Sequence, residues 1–409
     1  MDLFRRDGRG HGPIRTVAGV PGWPEFVEGY SLLSFGYIPP SDLDRSLTMS
    51  SPIGQKISQT PTLPRTARSI VSIGAGGIVR DAHQPAYEKA NFSVTGVFDP
   101  DLEKARKLAA DFHIPRVFDS LPQAVEASEG AIFDVAVPAS ALLELLPQLP
   151  DGAHVLIQKP LGESLAEAVA IRDLCRAKKL KAAVNFQLRY APFVIGARHL
   201  IDSGAIGDLH SIDLRVTVQT PWQLWSFLQD IERLEILYHS IHYIDLVRSF
   251  FGEPKGVLAK TTKHPACPQL APTRTGILFD YGEELAANIV TTHGHDFGQR
   301  HQESYIRWEG TCGAIVARMG VLMDYPTGTE DVLEYCSRQE GVSPEWVTVP
   351  LEGTWFPDAF VGTMASVMRQ AEDPSQTAVT DVEDAFRTMA VVEAAYESSE
   401  RGATPIPSG

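Results

Sequence analysis

The chain has 409 residues and a formal net charge of -15, with 36 lysine and arginine residues against 51 aspartate and glutamate residues. This acidic balance argues against binding to nucleic acids or to anionic membranes, because both would be repelled over much of the surface. A hydrophobic content of 44% and a charged content of 21% are typical of a globular protein. The length favours two domains.

The cysteines and the amino-terminal residues indicate the cellular compartment of the protein. The four cysteines are far apart and form no Cys-x-x-Cys pair, which favours reduced thiols. No apolar run approaches the length that spans a bilayer, and residues 1–15 lack the apolar core of a secretory signal. We therefore expect a cytoplasmic protein.

Residues 1–67 are rich in glycine, proline and serine, with short aromatic stretches. Such a segment rarely folds alone. We expect an extended arm that packs on the body or on a neighbouring subunit. A flap near a bound cofactor is the alternative.

Residues 68–190 alternate between strand and helix patterns. The β-branched run Ser69 to Gly74 is followed by a helical pattern from Ile78 to Ala90 and by a strand pattern from Phe92 to Phe98. Further strands are expected at Arg116 to Phe118, Ile132 to Val137, His154 to Ile157 and Ala182 to Asn185. The alternation predicts an α/β domain, a doubly wound parallel sheet of the Rossmann type with helices on both faces.

Residues 191–409 show a different pattern. A helix at Phe193 to Ser203 precedes an alternating run from Leu209 to Thr220, and the later strand patterns are separated by turns rather than by helices. This predicts an α+β domain with a mainly antiparallel, open sheet, one face of which is available for a partner. The sequence predicts two closing helices, near Phe360 to Gln370 and Val382 to Ser398. These two helices are candidates for packing back on the first domain.

The loop after the first predicted strand is rich in glycine. Gly74 would permit a tight turn, and Gly76, Gly77 and Ile78 would bring backbone N–H groups to a pyrophosphate at the start of the helix. Val79 stands where a dinucleotide fingerprint has its third glycine, which weakens the motif taken alone. The context still predicts a dinucleotide site.

Asp99 ends the second predicted strand. An acidic residue at this distance from the glycine loop binds the adenosine ribose hydroxyls and repels a 2′-phosphate. The sequence therefore favours NAD over NADP. The alternative for Asp99 is a turn residue before Pro100.

Five segments then carry a resemblance to a known family. They are Val71 to Val79 (VSIGAGGIV), Val97 to Pro100 (VFDP), Gly152 to Leu161 (GAHVLIQKPL), Asn185, and Ser203 to Gly207 (SGAIG). Their order resembles that of the Gfo/Idh/MocA oxidoreductases, the family of glucose-fructose oxidoreductase and inositol dehydrogenase, over residues 68–398. The resemblance implies a homo-oligomer, a dimer, tetramer or higher, formed through the open sheet. It also implies hydride transfer on a sugar or polyol.

The resemblance assigns a role to Lys159. The family carries Glu-Lys-Pro after the fifth Rossmann strand, and this chain has Gln158-Lys159-Pro160. An ammonium beside the nicotinamide could stabilise an alkoxide on the reacting oxygen. Gln158 keeps hydrogen-bonding ability without the charge of glutamate. We expect Gln158, Lys159 and Pro138 to contribute to the cofactor site.

A second family signature is Asp-x-x-x-His on a helix, and here it corresponds to Tyr238 to His242. The resemblance implies that His242 is the general acid and base, a role that suits an imidazole. Tyr238 replaces the aspartate, so it could orient the substrate or share proton transfer but supplies no carboxylate charge. We expect Lys159, His242 and Tyr238 to be the catalytic residues.

Other polar and aromatic side chains are candidates for the substrate site. The candidates are Asn185, Arg189, Tyr190, Trp225, His239 and His242, with Trp222 as a further aromatic. A buried structural role is the alternative for the two tryptophans and for His242. His293 and His295, with His301 nearby, raise a metal hypothesis. Because hydride transfer needs only nicotinamide and an acid or base, we predict no metal there and expect these histidines to line the substrate site instead.

The sequence thus predicts an NAD-dependent oxidoreductase acting on a hydroxyl carbon of a sugar, glycoside or polyol, with His242 as acid and base and Lys159 stabilising the reacting oxygen. The alternative is a non-catalytic, NAD-binding regulatory or scaffold protein of the same fold. The substitutions at Gln158 and Tyr238 motivate this second hypothesis.

Overall fold

The structure is a computed structural model and describes residues 56–225, 228–325 and 327–407. Most of the predicted arm lies outside the described residues. The described end of that segment contacts the body, because the Gln59 amide donates to Pro350 O at 2.9 Å and accepts from the N–H of Glu352. The described residues belong to one compact unit. The domain boundary at residue 190 stays a prediction.

The first sheet has five parallel strands. They are β1 (Ile70–Ile73), β2 (Val94–Phe98), β3 (Ile132–Val135), β4 (His154–Ile157) and β5 (Lys181–Val184). Their order is β2-β1-β3-β4-β5. The strand expected at Arg116 to Phe118 is reduced to one bridge between Val117 and Val97. The order reverses between β1 and β3, so a crevice for a ligand is expected at the carboxyl ends of these two strands.

Helices cover both faces of this sheet, which explains why every residue of β1 and β3 is buried. A π-helical turn, Val79–His83, leads into the first α-helix. The α-helices of this region are α1 (Gln84–Lys89), α2 (Leu102–Asp111), α3 (Leu121–Glu126), α4 (Leu142–Leu145) and α5 (Leu165–Ala177). The side chains of Asp101, Ser120 and Ser164 cap α2, α3 and α5 and fix where these helices begin.

The second sheet has eight strands. They are β6 (Leu209–Thr217), β7 (Gly256–Thr262), β8 (Arg274–Asp280), β9 (Ala286–Thr292), β10 (Glu303–Gly310), β11 (Gly313–Arg318), β12 (Val332–Ser337) and β13 (Val347–Val349). Their order is β13-β12-β11-β10-β6-β9-β8-β7, and only the β6–β9 pair is parallel. The prediction of a doubly wound parallel sheet followed by a mainly antiparallel one is confirmed.

Four more helices connect and cover the two sheets. They are α6 (Pro192–Asp202), α7 (Ile241–Phe251), which follows the π-helical turn Ile236–Ser240, α8 (Ala359–Glu372) and α9 (Val382–Arg401). Helix α8 returns to the first sheet, where Phe360, Met364 and Met368 are buried with Ile132 and Leu156. Within the described residues, no helix is long and apolar enough to cross a membrane.

Candidate active site

The glycine loop follows β1 and begins with a position that requires glycine. Gly74 has a φ of +111°, and a Cβ atom there would lie 2.3 Å from the carbonyl oxygen of Ala136. Among the described residues, a Cβ atom at Gly76 would meet nothing within 4 Å, and one at Gly77 would meet only Asp81 Oδ2 at 3.8 Å. The loop therefore turns sharply at Gly74 and leaves open space in front of Gly76, where a phosphate group could approach the backbone.

Val79 replaces the third fingerprint glycine and is fully buried. It packs with Ala75, Val97 and Leu108 in a small cluster between the loop and α2. The π-helical turn starts at this same residue. The helical run itself begins earlier, at Gly77 and Ile78, and the first N–H groups of a helix have no acceptor within it. The N–H groups that a pyrophosphate would need are thus retained despite the valine.

Asp99 lies beside the glycine loop. Its Oδ2 accepts a hydrogen bond from the N–H of Ala75 at 2.8 Å, and its Oδ1 accepts one from the N–H of Asp101 at 2.8 Å. Each carboxylate oxygen keeps a further lone pair that could accept a ribose hydroxyl. Pro138 follows β3 at the same edge of the sheet. The residues at this edge fit an NAD molecule.

Lys159 lies at the carboxyl end of β4. The side chain of Gln158 accepts the backbone N–H of Lys159 at 2.9 Å, and the Lys159–Pro160 peptide bond is cis. The ammonium of Lys159 donates to the carbonyl oxygen of Tyr238 at 2.8 Å. Burial lowers the pKa of Lys159 to about 8. The side chain thus reaches from the first sheet to the segment that precedes α7.

His242 lies in the first turn of α7 and is 9% exposed. Its ring stands edge-on to Phe186, with 6.3 Å between the ring centres. Within the described part of the chain, its Nδ1 has no hydrogen-bond partner. Burial, reinforced by the charge of Lys159, holds the pKa of His242 well below 6.5. The Lys159 ammonium bonds to the carbonyl oxygen of Tyr238, four residues before His242, and its charge acts on the imidazole, which is neutral at neutral pH.

Tyr238 precedes His242 by four residues. Its hydroxyl donates to Glu163 Oε1 at 3.4 Å, and the Lys159 ammonium lies 5.7 Å from the centre of its ring. Burial and the Glu163 carboxylate raise the pKa of Tyr238 to about 12. Tyr238 is thus a protonated hydroxyl at neutral pH and a poorer base than His242.

Asn185 is buried in a hydrogen-bonded network. Its amide nitrogen lies 3.2 Å from His83 Nε2, and its amide oxygen accepts from Thr363 at 2.8 Å. His83 Nδ1 in turn lies 2.8 Å from Asp134. These contacts link the π-helical turn before α1, strand β3, the residue that follows β5, and helix α8. We propose a structural role for Asn185 in place of the predicted substrate contact.

Arg189 is held by two carboxylates. It forms a bidentate ion pair with Asp245 at 2.7 and 2.6 Å and a further one with Asp384 at 2.6 Å. Tyr190 packs against α8, where a Cβ atom at Gly362 would lie 2.3 Å from its ring. We propose that Arg189 and Tyr190 anchor helices rather than bind substrate.

The other predicted substrate residues surround a histidine cluster. The His239 ring lies 4.2 Å from the His293 ring and 6.1 Å from the Trp222 ring. Trp225 packs on Trp222. Burial, with the charges of His293, Lys159 and His242, holds the pKa of His239 well below 6.5. His239 and Trp222 are therefore close to the Lys159–His242 pair.

Glu235 also lies at this site, although it is not among the site residues predicted from the sequence. It is 1% exposed, and its Oε1 accepts from Ser240 at 2.7 Å and lies 3.4 Å from His293 Nε2. Although burial disfavours the charged form, the hydrogen bond and charge of His293 hold the pKa of Glu235 below its ordinary value. Its spacing to His239 and His242, four and seven residues on, is a helical period and could have identified it.

These features define a dinucleotide-binding oxidoreductase fold, and comparison with known proteins identifies the family. Residues 68–186 match the description "Oxidoreductase family, NAD-binding Rossmann fold", and residues 198–407 match its "C-terminal alpha/beta domain". The chain belongs to the Gfo/Idh/MocA oxidoreductase family, so the resemblance noted in the sequence is confirmed. The NAD-binding domain is confirmed with it.

The individual proteins that this chain resembles match only part of it or have low sequence identity to it. Glucose-6-phosphate 3-dehydrogenase of Bacillus subtilis is 33% identical over 147 residues, which are 36% of this chain and only 41% of that protein. The galactose/lactose metabolism regulatory protein GAL80 of Saccharomyces cerevisiae is 22% identical over 51% of this chain and 50% of its own length. A solved structure, levoglucosan dehydrogenase in complex with NADH and levoglucosan, shares the fold with a TM-score of 0.70. It is 18% identical and covers 82% of this chain and 98% of its own.

We predict that Gly76→Ala lowers NAD affinity at least about 10-fold without lowering stability, because the new methyl group enters the space reserved for the pyrophosphate. Calorimetric titration with NAD and a thermal melt check this. Gly256→Ala is the matched control, since a Cβ atom there also meets nothing within 4 Å. Equal NAD affinity in both variants would contradict the proposed position of the cofactor.

Proposed function

We propose that this chain is an NAD-dependent dehydrogenase acting on a hydroxyl carbon of a sugar, glycoside or polyol. The proposal rests mainly on two side chains near the carboxyl edge of the NAD-binding sheet. Lys159 supplies a partly buried ammonium, and His242 supplies a buried imidazole that is neutral. The names of several relatives, such as glucose-6-phosphate 3-dehydrogenase and levoglucosan dehydrogenase, support the substrate class.

Lys159 and His242 would have different roles in the reaction because they differ in charge. Bound NAD would supply the hydride acceptor. Neutral His242 would take the hydroxyl proton as the alcohol is oxidised and return it in the reverse direction. The Lys159 ammonium would hydrogen-bond the same oxygen and stabilise its developing negative charge, an effect that is strengthened by exclusion of water. Tyr238, with its raised pKa, would orient substrate rather than exchange protons.

The cofactor residues follow from the same edge of the sheet. Gly74, Gly76, Gly77 and Ile78 would face the pyrophosphate, and Asp99 the adenosine ribose. Gln158 would position Lys159 through its hydrogen bond to the Lys159 backbone. The Asp99 carboxylate would repel a 2′-phosphate, which supports NAD over NADP.

A second candidate is a non-catalytic NAD-binding regulator. It is favoured by the similarity to GAL80 and by Tyr238 at the position of the family's aspartate. The dehydrogenase and the regulator can be distinguished by incubating the protein with NAD and a panel of sugars, glycosides and polyols. Absorbance of reduced nicotinamide monitors the reaction. Reduction by any panel member supports the dehydrogenase. No reduction by any panel member, together with NAD binding by the parent chain, supports the regulator.

We predict that Lys159→Ala and His242→Ala each lower kcat at least about 100-fold, since each removes a group that acts on the reacting oxygen. NAD affinity should stay within about threefold of the parent protein, because neither group is required for the glycine loop. Steady-state kinetics and NAD titration check this, with the exposed Lys181→Ala as control. Near-normal turnover in His242→Ala would transfer the acid and base role to Tyr238 or His239.

The pKa values of these groups predict the pH profile of kcat/KM for alcohol oxidation. His242 must be neutral, and its pKa lies well below 6.5, so the acid limb should fall below pH 6.5. Lys159 must be protonated, so activity should be lost as the pH rises through about 8. Lys159→Arg should move that alkaline limb upward, because a guanidinium stays charged. An alkaline limb that is identical in this variant would exclude Lys159 as its source.

We also propose that copies of the chain associate through the outer face of the second sheet, and that the protein is cytoplasmic. Leu258, Leu278 and Val290 lie on that face of β7, β8 and β9 and are 69%, 55% and 39% exposed. Leu258 and Leu278 are direct partners across the two strands. Sedimentation of the full chain should give a dimer or larger assembly, and a purely monomeric profile would contradict the proposal.

A further inference from the structure

Three titratable side chains form a compact cluster next to the proposed catalytic pair. Glu235, His239 and His293, here called the histidine–carboxylate cluster, each offer one ligand atom, and these atoms all lie within 4.8 Å of one another. An ion bound about 2.0–2.2 Å from each atom would require them to be about 3–3.5 Å apart. Small side-chain movements would therefore close the cluster around an ion.

Local structure explains how these residues meet. Glu235 immediately precedes the π-helical turn that contains His239, so their side chains lie about one turn apart on the same helical face. His293 directly follows β9, and its Nδ1 lies 2.9 Å from the hydroxyl of Thr220. A hydrogen bond from one ring nitrogen leaves the other to bind an ion and fixes the orientation of the ring. Thr220 can play this role for His293.

The cluster also has polar atoms without partners. Among the described residues, Glu235 Oε2 and His239 Nδ1 are both buried and have no hydrogen-bond partner. A buried polar atom that lacks a partner costs free energy, and an unpaired carboxylate oxygen is especially costly. One cation bound between these side chains would satisfy the carboxylate and an imidazole at once.

We propose that the histidine–carboxylate cluster binds one divalent transition-metal ion, with a coordination position left for an oxygen ligand. Two imidazoles and one carboxylate suit zinc, manganese, iron or cobalt, whereas magnesium and calcium prefer sites made of oxygen atoms alone. His295 and His301, which the sequence placed beside His293, are not part of the cluster. The proposal replaces the sequence-based prediction of a metal-free site.

The position of the cluster gives the ion a role. His239 directly follows Tyr238, whose carbonyl oxygen accepts a hydrogen bond from the Lys159 ammonium at 2.8 Å, so the ion would lie close to the proposed reacting hydroxyl. His239 is the partly exposed member of the cluster, and it marks the side from which a ligand would arrive. The ion would coordinate a second oxygen of the substrate, which favours vicinal diols and hydroxy acids. This role rests on the proposed dehydrogenase function, but metal binding itself does not.

Metal binding can be tested on the full chain without NAD or sugar. After treatment with a chelator and dialysis, the protein is titrated with Zn²⁺ by calorimetry and with Co²⁺ by visible absorption. One ion per chain is expected. His239→Ala and Glu235→Gln should each weaken binding at least about 100-fold, and Thr220→Val about 10-fold through the orientation of His293. His295→Ala is the matched control and should leave binding unchanged.

The outcomes separate the two proposals. Binding of less than one ion per chain, or equal affinity in the parent protein, His239→Ala and Glu235→Gln, overturns the metal site and leaves the dehydrogenase untouched. Equal losses in His295→Ala and His239→Ala also overturn it, because they would indicate binding elsewhere. Thermal melts of each variant show whether it is folded. Failure of every sugar to reduce NAD would contradict the dehydrogenase while leaving the titration result in force.

Discussion

The hydrogen bond from the Lys159 ammonium to the carbonyl oxygen of Tyr238 is the contact on which the site depends. It spans 2.8 Å and joins the carboxyl edge of the parallel sheet to the segment that leads into α7. Burial lowers the pKa of this ammonium to about 8, and burial, reinforced by the charge of Lys159, lowers the pKa of His242. Neutral pH lies below the first pKa and above the second, so the site holds a charged donor and a neutral base, which is the combination that oxidation of an alcohol requires.

A buried charge network keeps α7 in the position that this contact needs. Asp245, three residues after His242, pairs with Arg189 at the end of the first sheet, and Arg189 also pairs with Asp384 in α9. Arg248, one turn further along α7, reaches Asp384 and Glu253. Breaking a buried pair by removing one partner is strongly destabilising. The network therefore fixes the helix of His242 relative to both the first sheet and the last helix.

Much of the fold could be predicted from the sequence, because fully buried parallel strands leave short β-branched runs bounded by glycine or polar residues. The strand His154–Ile157 was predicted with the observed bounds. Two strands, Val332–Ser337 and Val347–Val349, were missed; the second is only three residues long and mostly exposed. The two π-helical turns have the same apolar spacing as an α-helix and could not be distinguished from one. The structural roles proposed for Asn185 and Arg189 could not be derived from the sequence, because their partners, Thr363 and Asp384, are far away in sequence.

The charge of Lys159 adds to burial in opposing protonation of His242, and the pKa of His242 measures this interaction directly. NMR titration gives the pKa of the His242 imidazole in the parent chain and in the variant Lys159→Met, and the two pKa values are compared. We expect a pKa well below 6.5 in the parent chain and a higher one in the variant, because removing the ammonium removes a charge that opposes protonation. An unchanged His242 pKa in Lys159→Met would rule out the proposed pair, since the two groups would then be electrostatically independent.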